Sequence, residues 1–132
     1  LVKPLKRKTR EPSSGARRYG AKLLFEYRVI VGKSSGKRRL CEERVINFAS
    51  SAAPEALREA QKRGRKAQHS YKNNAGNWVR FKFVGVMELK CLDSACEADE
   101  VWYEMFERVC PSENKANFIP HRSKLHAIRN NE

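Results

Sequence analysis

The chain has 132 residues, of which 40% are hydrophobic and 33% charged, enough for one domain with one modest core. No apolar run approaches the roughly 18 residues that span a bilayer as a helix, which excludes a membrane-spanning helix. Lys and Arg number 28 against 15 Asp and Glu, a net charge of +13, and that excess attracts polyanions at long range while also serving solubility.

Residues 1–18 hold Lys3, Lys6, Arg7, Lys8, Arg10, Arg17 and Arg18 against Glu11, with Pro4, Pro12 and Gly15 among them and no apolar periodicity. This reads as a flexible basic arm. No aromatic residue interleaves its charges, so base stacking by the arm is not expected. No apolar segment comes after the basic start, so a secretory signal is not expected and the location is read as cytoplasmic.

Tyr19 to Val31 alternates, with Leu23, Phe25, Tyr27, Val29 and Val31 on one side and Lys22, Glu26 and Arg28 on the other. That period predicts a strand. Gly32 to Lys37 reads as a turn. A second, less regular strand is predicted from Arg39 to Phe48, where Glu42 and Arg44 interrupt the parity of Leu40, Ile46 and Phe48. The two make a hairpin whose distal half faces solvent.

After Ser50 the period changes. Ala53, Ala56, Leu57, Ala60, Gly64 and Ala67 take helical spacing, with Arg58, Lys62, Arg63, Arg65 and Lys66 on the wet side. Ser50 or Ser51 is expected to cap the helix, and Pro54 fits its first turn. Gly64 weakens the helix by about 1 kcal/mol relative to Ala, and marks either a close approach to the sheet or an early helix end.

Asn73 to Asn77 reads as a turn before the longest strand. There Val79, Phe81, Phe83, Met87, Leu89 and Cys91 are expected on the dry face, with Gly85 as a gap. Residues 93–100 form an acidic loop. Val101 to Val109 fits a strand or a helix, and its aromatic content tips it to a strand. Beyond Pro111 the chain is a polar tail.

The expected fold is therefore α+β. One antiparallel β-sheet, in chain order β-β-α-β-β, carries one helix on one face, in a domain of residues 19–110 between the arm (1–18) and the tail (111–132). A homodimer through an exposed face or edge fits the thin helical cover.

Four pieces carry a family resemblance: YGAKLLFEY (Tyr19–Tyr27), EERVINF (Glu42–Phe48), PEALREA (Pro54–Ala60) and SYKNNAGNWVRFKFVGV (Ser70–Val86). Over about Tyr19 to Arg108 the chain resembles the bacterial family known as domain of unknown function 4288. The most specific part is the spacing of Tyr71, Asn73 and Gly76 ahead of Phe83-Val84-Gly85-Val86. The resemblance implies a compact bacterial domain and brings no activity and no catalytic residues.

Tyr71, Asn73 and Gly76 have the types that line a pocket. Asn favours local backbone bonds and Gly takes positive φ, however, so a structural turn outweighs that reading, with Tyr71 closing the helix end over the core. Gly85 joins them as a structural position. Cys91, Cys96, His121 and His126 are a weak zinc set, because the first spacing is loose and an ordered stretch separates the pairs. His69 reads as a cap or a surface residue. Glu88 and Lys90 repeat the E-x-K spacing of metal-dependent nucleases, which any wet strand face also shows. No nucleophile set or phosphate loop is present, and no cofactor is expected.

The sequence thus points to a non-enzymatic binding module, with a protein partner ahead of the alternative. A groove walled by Trp78 and Trp102 would favour that reading. The alternative is weak nucleic-acid binding by Lys6, Arg7, Lys8, Arg10, Arg17 and Arg18 of the arm with Lys62, Arg63, Arg65 and Lys66 of the helix. A small metal-dependent hydrolase comes last.

Overall fold

The computed structural model describes residues 15–130. Strands β1 (Arg17–Ile30), β2 (Cys41–Ser50), β3 (His69–Lys72) and β4 (Trp78–Cys91) form one antiparallel sheet in the order β2-β1-β4-β3. Helix α1 (Ala53–Ala67) connects β2 to β3 and packs on one face, here called the inner face. This is the α+β sheet-and-helix architecture expected. The described residues separate into two compact units, 15–103 and 104–130.

β1 is the spine of the core because its inner-face residues are the largest regularly spaced apolar set. Tyr19, Ala21, Leu23 and Phe25 are at most 5% exposed. α1 packs Ala56 and Ala60 into the same core and lays Gly64 against Phe83 of β4. A Cβ on Gly64 would sit 2.5 Å from two ring carbons of Phe83, so glycine here marks a close helix–sheet approach. Pro54 sits in the first turn as expected. The cap does not match: Ala52 is the N-cap, with extended backbone and no side-chain cap bond. Ser50 is instead still paired in β2, opposite Arg17.

The β4 pattern is corrected by two bulges. Lys22 pairs with Glu88 but Leu23 with Val86, and Leu24 pairs with Gly85 but Phe25 with Phe83. Met87 and Val84 are the extra residues, and each is about half exposed. One inserted residue turns the remainder of the strand over, and a second turns it back. Val86 therefore takes the core place expected of Met87, while Leu89 and Cys91 return to the inner face.

The strand expected at Val101–Val109 is absent, and β3, unmarked in the sequence, takes the fourth place in the sheet. The aromatics of the 101–103 stretch are spent on cover rather than pairing. Trp102 and Leu92, the first residue of the short helix α2 (Leu92–Ala95), lie over Gly20 on the outer face of the sheet. A Cβ on Gly20 would meet the indole at 2.9 Å. Lys90 Nζ sits 4.6 Å from the Trp102 ring centroid and 3.6 Å from that of Tyr103, and donates to the Tyr103 carbonyl.

Beyond β3 the edge of β4 is capped by side chains. Gln68 Oε1 accepts from the Phe83 N–H and Glu88 Oε1 from the Leu89 N–H, both at 3.0 Å. With the bulges, these blunt an edge that would otherwise template another strand. In the second unit, 3-10 turns at Lys115–Asn117 and Arg122–Lys124 precede helix α3 (His126–Arg129). None of its described residues is buried. The Arg108 guanidinium lies 4.9 Å from the Phe118 ring centroid.

Candidate functional site

Helix α1 covers only part of the inner face. It ends at Ala67, and the chain enters β3 with His69 opposite Phe81. Two cross-strand rows therefore lie beyond the helix: Tyr27, Phe81 and His69, then Val29, Val79 and Tyr71. Residues paired in register share a face, so these side chains form one continuous surface.

Its floor is aromatic. Phe25 stacks on Phe81 with ring centroids 4.6 Å apart, Tyr27 tilts onto Phe81 at 4.8 Å, and His69 lies 5.2 Å from Phe81. Arg44 and Glu42, which interrupted the β2 pattern, fall on this face as well. The Arg44 guanidinium lies 4.7 Å from the Phe25 ring centroid, within cation–π reach, and pairs with Glu42.

At the distal end, where β1 ends at Ile30 and β4 begins at Trp78, a pocket of about 480 Å³ opens. Its apolar wall is Tyr27, Val29, Leu40, Tyr71 and Val79; its polar wall is Ser35, Arg38, Arg39 and Asn73. Leu40 is 72% exposed and Tyr71 41%, so the wall is open to solvent at its rim, while Val79 at its base is buried. No carboxylate lines it among the described residues. Arg39 is already engaged: its Nη1 lies 2.9 Å from Glu26 Oε2 and its Nε donates to the Gly36 carbonyl. The Arg28 and then the Arg39 hydrogen bonds hold the Glu26 carboxyl below its usual range against the opposing effect of burial. Arg38 has no ion pair among the described residues.

The residues singled out in the sequence take several places. Asn73 Oδ1 accepts from the N–H groups of Ala75 and Asn77, each at 3.0 Å, and Gly76 has φ +81°, so both shape the turn before β4. Asn73 also touches the pocket. Tyr71 does not close the helix end over the core; it is an exposed pocket wall, because β3 carries it past the end of α1. Gly85 lies between the two bulges, with open space where a Cβ would be. His69 Nδ1 lies 2.9 Å from the Ala67 carbonyl at the helix end.

Of the basic candidates, Lys6, Arg7, Lys8 and Arg10 lie outside the described residues. Arg18 is bound to Asp93, through both its backbone N–H and its Nε at 2.8 Å. Arg17 is exposed. Burial pushes the Cys91 thiol up, but bonds from Ser94, Arg17 and the Asp93 backbone together bring it below the usual value. Arg63 pairs with Glu59 at 2.7 Å and covers the Phe48 ring at 4.8 Å. Lys62, Arg65 and Lys66 are exposed and have no ion pair among the described residues.

Trp78 and Trp102 do not wall one groove. Trp78 pairs with Ile30 at one end of β1, whereas Trp102 covers Gly20 near the other. Among the described residues no group of three or more His, Cys, Asp or Glu is gathered as a metal would require. None of the four cysteines is in a disulfide. Of the E-x-K pair, Glu88 caps the next residue's N–H and Lys90 clamps Trp102 and Tyr103.

Among the described residues the open inner face gathers aromatic and aliphatic side chains with Arg38, Arg39, Arg44 and Glu42. A model of the family described as Domain of unknown function (DUF4288) matches residues 18–102. No curated protein and no solved structure gives a significant match.

Proposed function

The chain belongs to the DUF4288 family, and we propose that it acts by binding, as an accessory module that docks a segment of another protein on the helix-free part of its inner face. The observation that carries this reading is the distal pocket, whose apolar wall includes Tyr27 and Tyr71 and whose polar wall holds Arg38, with no ion pair and no lining carboxylate among the described residues. Pockets of this size, apolar with a few placed polar groups, take one anchoring side chain and fix its orientation. Arg38 at the rim makes the fitting partner acidic: a peptide with an aromatic or branched aliphatic side chain next to Asp, Glu or a terminal carboxylate.

Selection of peptides from a displayed random library tests this. Enrichment of that acidic-apolar pattern is expected, with Kd raised tenfold or more by Leu40→Asp, which places a carboxylate in an exposed wall without touching the core. Lack of enrichment, or equal affinity for Leu40→Asp, contradicts the reading.

A second reading, weak nucleic-acid binding, is supported by the net charge of +13 and by the exposed Lys62, Arg65 and Lys66 of α1. Phosphate contacts of this kind are sequence-tolerant and fade with salt.

A further inference from the structure

We propose that the distal end of the outer face binds single-stranded nucleic acid, with Trp78 as a stacking platform and Lys72, Arg80 and Lys82 as phosphate contacts. The proposal takes its class of partner from the second reading above and moves the contact from the arm and helix to the sheet.

The outer face is the one that α1 leaves bare. Trp102 and Leu92 cover it near Gly20, at the far end. At the distal end Trp78 is 51% exposed, although a large aromatic in a sheet ordinarily turns toward the core. Lys72, paired with Trp78 in register, holds its Nζ 5.4 Å from the ring centroid. Arg80 and Lys82 come after Trp78 along β4 on the same face, at steps of about 7 Å.

The charges here are arranged at a cost. Arg80 pairs directly with Arg28 on β1, and like charges opposite one another destabilise a sheet. Arg28 is met by Glu26 at 3.1 Å; Arg80 has no ion pair among the described residues. Among the described residues Glu26 is the only carboxylate in these rows, and Arg28 and Arg39 already engage it. An anion laid along β4 relieves that repulsion.

An exposed ring on a sheet surface, flanked by cations, recognises unstacked bases and a phosphate chain together. A duplex hides its base faces and offers only phosphates. The geometry therefore assigns single strands over duplex, with little sequence preference. The Trp78 patch and the peptide pocket lie on opposite faces of the same strands, since Trp78 and Val79 are consecutive.

The test is fluorescence anisotropy of the full chain with a labelled oligothymidylate of about 20 nucleotides and with a duplex of equal length, over a salt series. Single-strand binding tighter than duplex binding is expected at about 0.1 M salt. Trp78→Ala should weaken it about tenfold, and Trp78→Phe should restore most of the loss. Arg80→Ala and Lys82→Ala should each flatten the slope of log affinity against log salt by about 0.7. Circular dichroism confirms the fold of each variant, since all three side chains lie outside the core. Binding that is equal in wild type and Trp78→Ala, or tighter to duplex, overturns the proposal and leaves the arm-and-helix reading standing. Loss of all binding even at low salt sinks both.

Discussion

Replacing Gly64 with Ala sets two physical effects against each other, and the structure decides the sign. Helix propensity alone favours Ala in the middle of α1 by about 1 kcal/mol. The added methyl, however, would lie 2.5 Å from Cδ1 and Cε1 of Phe83 and 2.7 Å from its Cζ. Carbon atoms rest at about 3.5–4.0 Å, so ring or helix must move by about 1 Å. The ring is not free to swing away. Its centroid lies 5.6 Å from that of Phe25, which is itself stacked on Phe81. Overpacking of this kind costs about 1–3 kcal/mol, which leaves a net loss of about 1 kcal/mol and a melting temperature lower by about 4–8 °C. Thermal and urea denaturation of Gly64→Ala check this. In a Phe83→Leu background, where the flat ring is gone, the same substitution should become neutral or stabilising. A rise in melting temperature for Gly64→Ala in the wild-type background would refute the close-contact account of α1.

The ion pairs give two more expected outcomes. Arg18→Ala removes the guanidinium from Asp93, whose side chain is only 8% exposed, and should cost about 1–2 kcal/mol in urea denaturation; the double variant with Asp93→Ala should lose less than the sum of the two single losses. Glu26 has a folded pKa below its unfolded value of about 4.3, so its ion pairs add stability above that pH and lose it as pH falls through the folded pKa. Glu26→Gln should therefore be less stable than wild type at pH 7, with the difference shrinking below about pH 5 in parallel acid titrations.

The strongly periodic elements were legible in the sequence. β1 and α1 were found within two residues, because a period of two or of 3.6 with buried Phe, Leu or Ala leaves little choice. What escaped had no periodic signature. β3 is HSYK, with every residue exposed, so no apolar alternation announces it. The bulges at Val84 and Met87 are invisible in β4 because two insertions restore the parity they break. The 101–103 stretch has strand composition, but composition reports a half-buried surface and not a hydrogen-bonded partner. The site was half legible for the same reason. Tyr71 and Asn73 stood out by type and spacing, yet their place at the pocket depends on where α1 stops. Trp78 is conspicuous by type, but only the register places it on the bare face beside Lys72 and Arg80.

Binding at the helix-free distal end of the inner face is the proposal on which the rest depends. The most direct measurement is an amide and methyl NMR shift map of the full chain titrated with an acidic, aromatic-containing peptide taken from the library selection. Shifts confined to Tyr27, Val29, Leu40, Tyr71 and Val79, and lost in Leu40→Asp, are the expected result. Shifts on α1 or on the outer face instead, with the pocket residues unmoved, would contradict it.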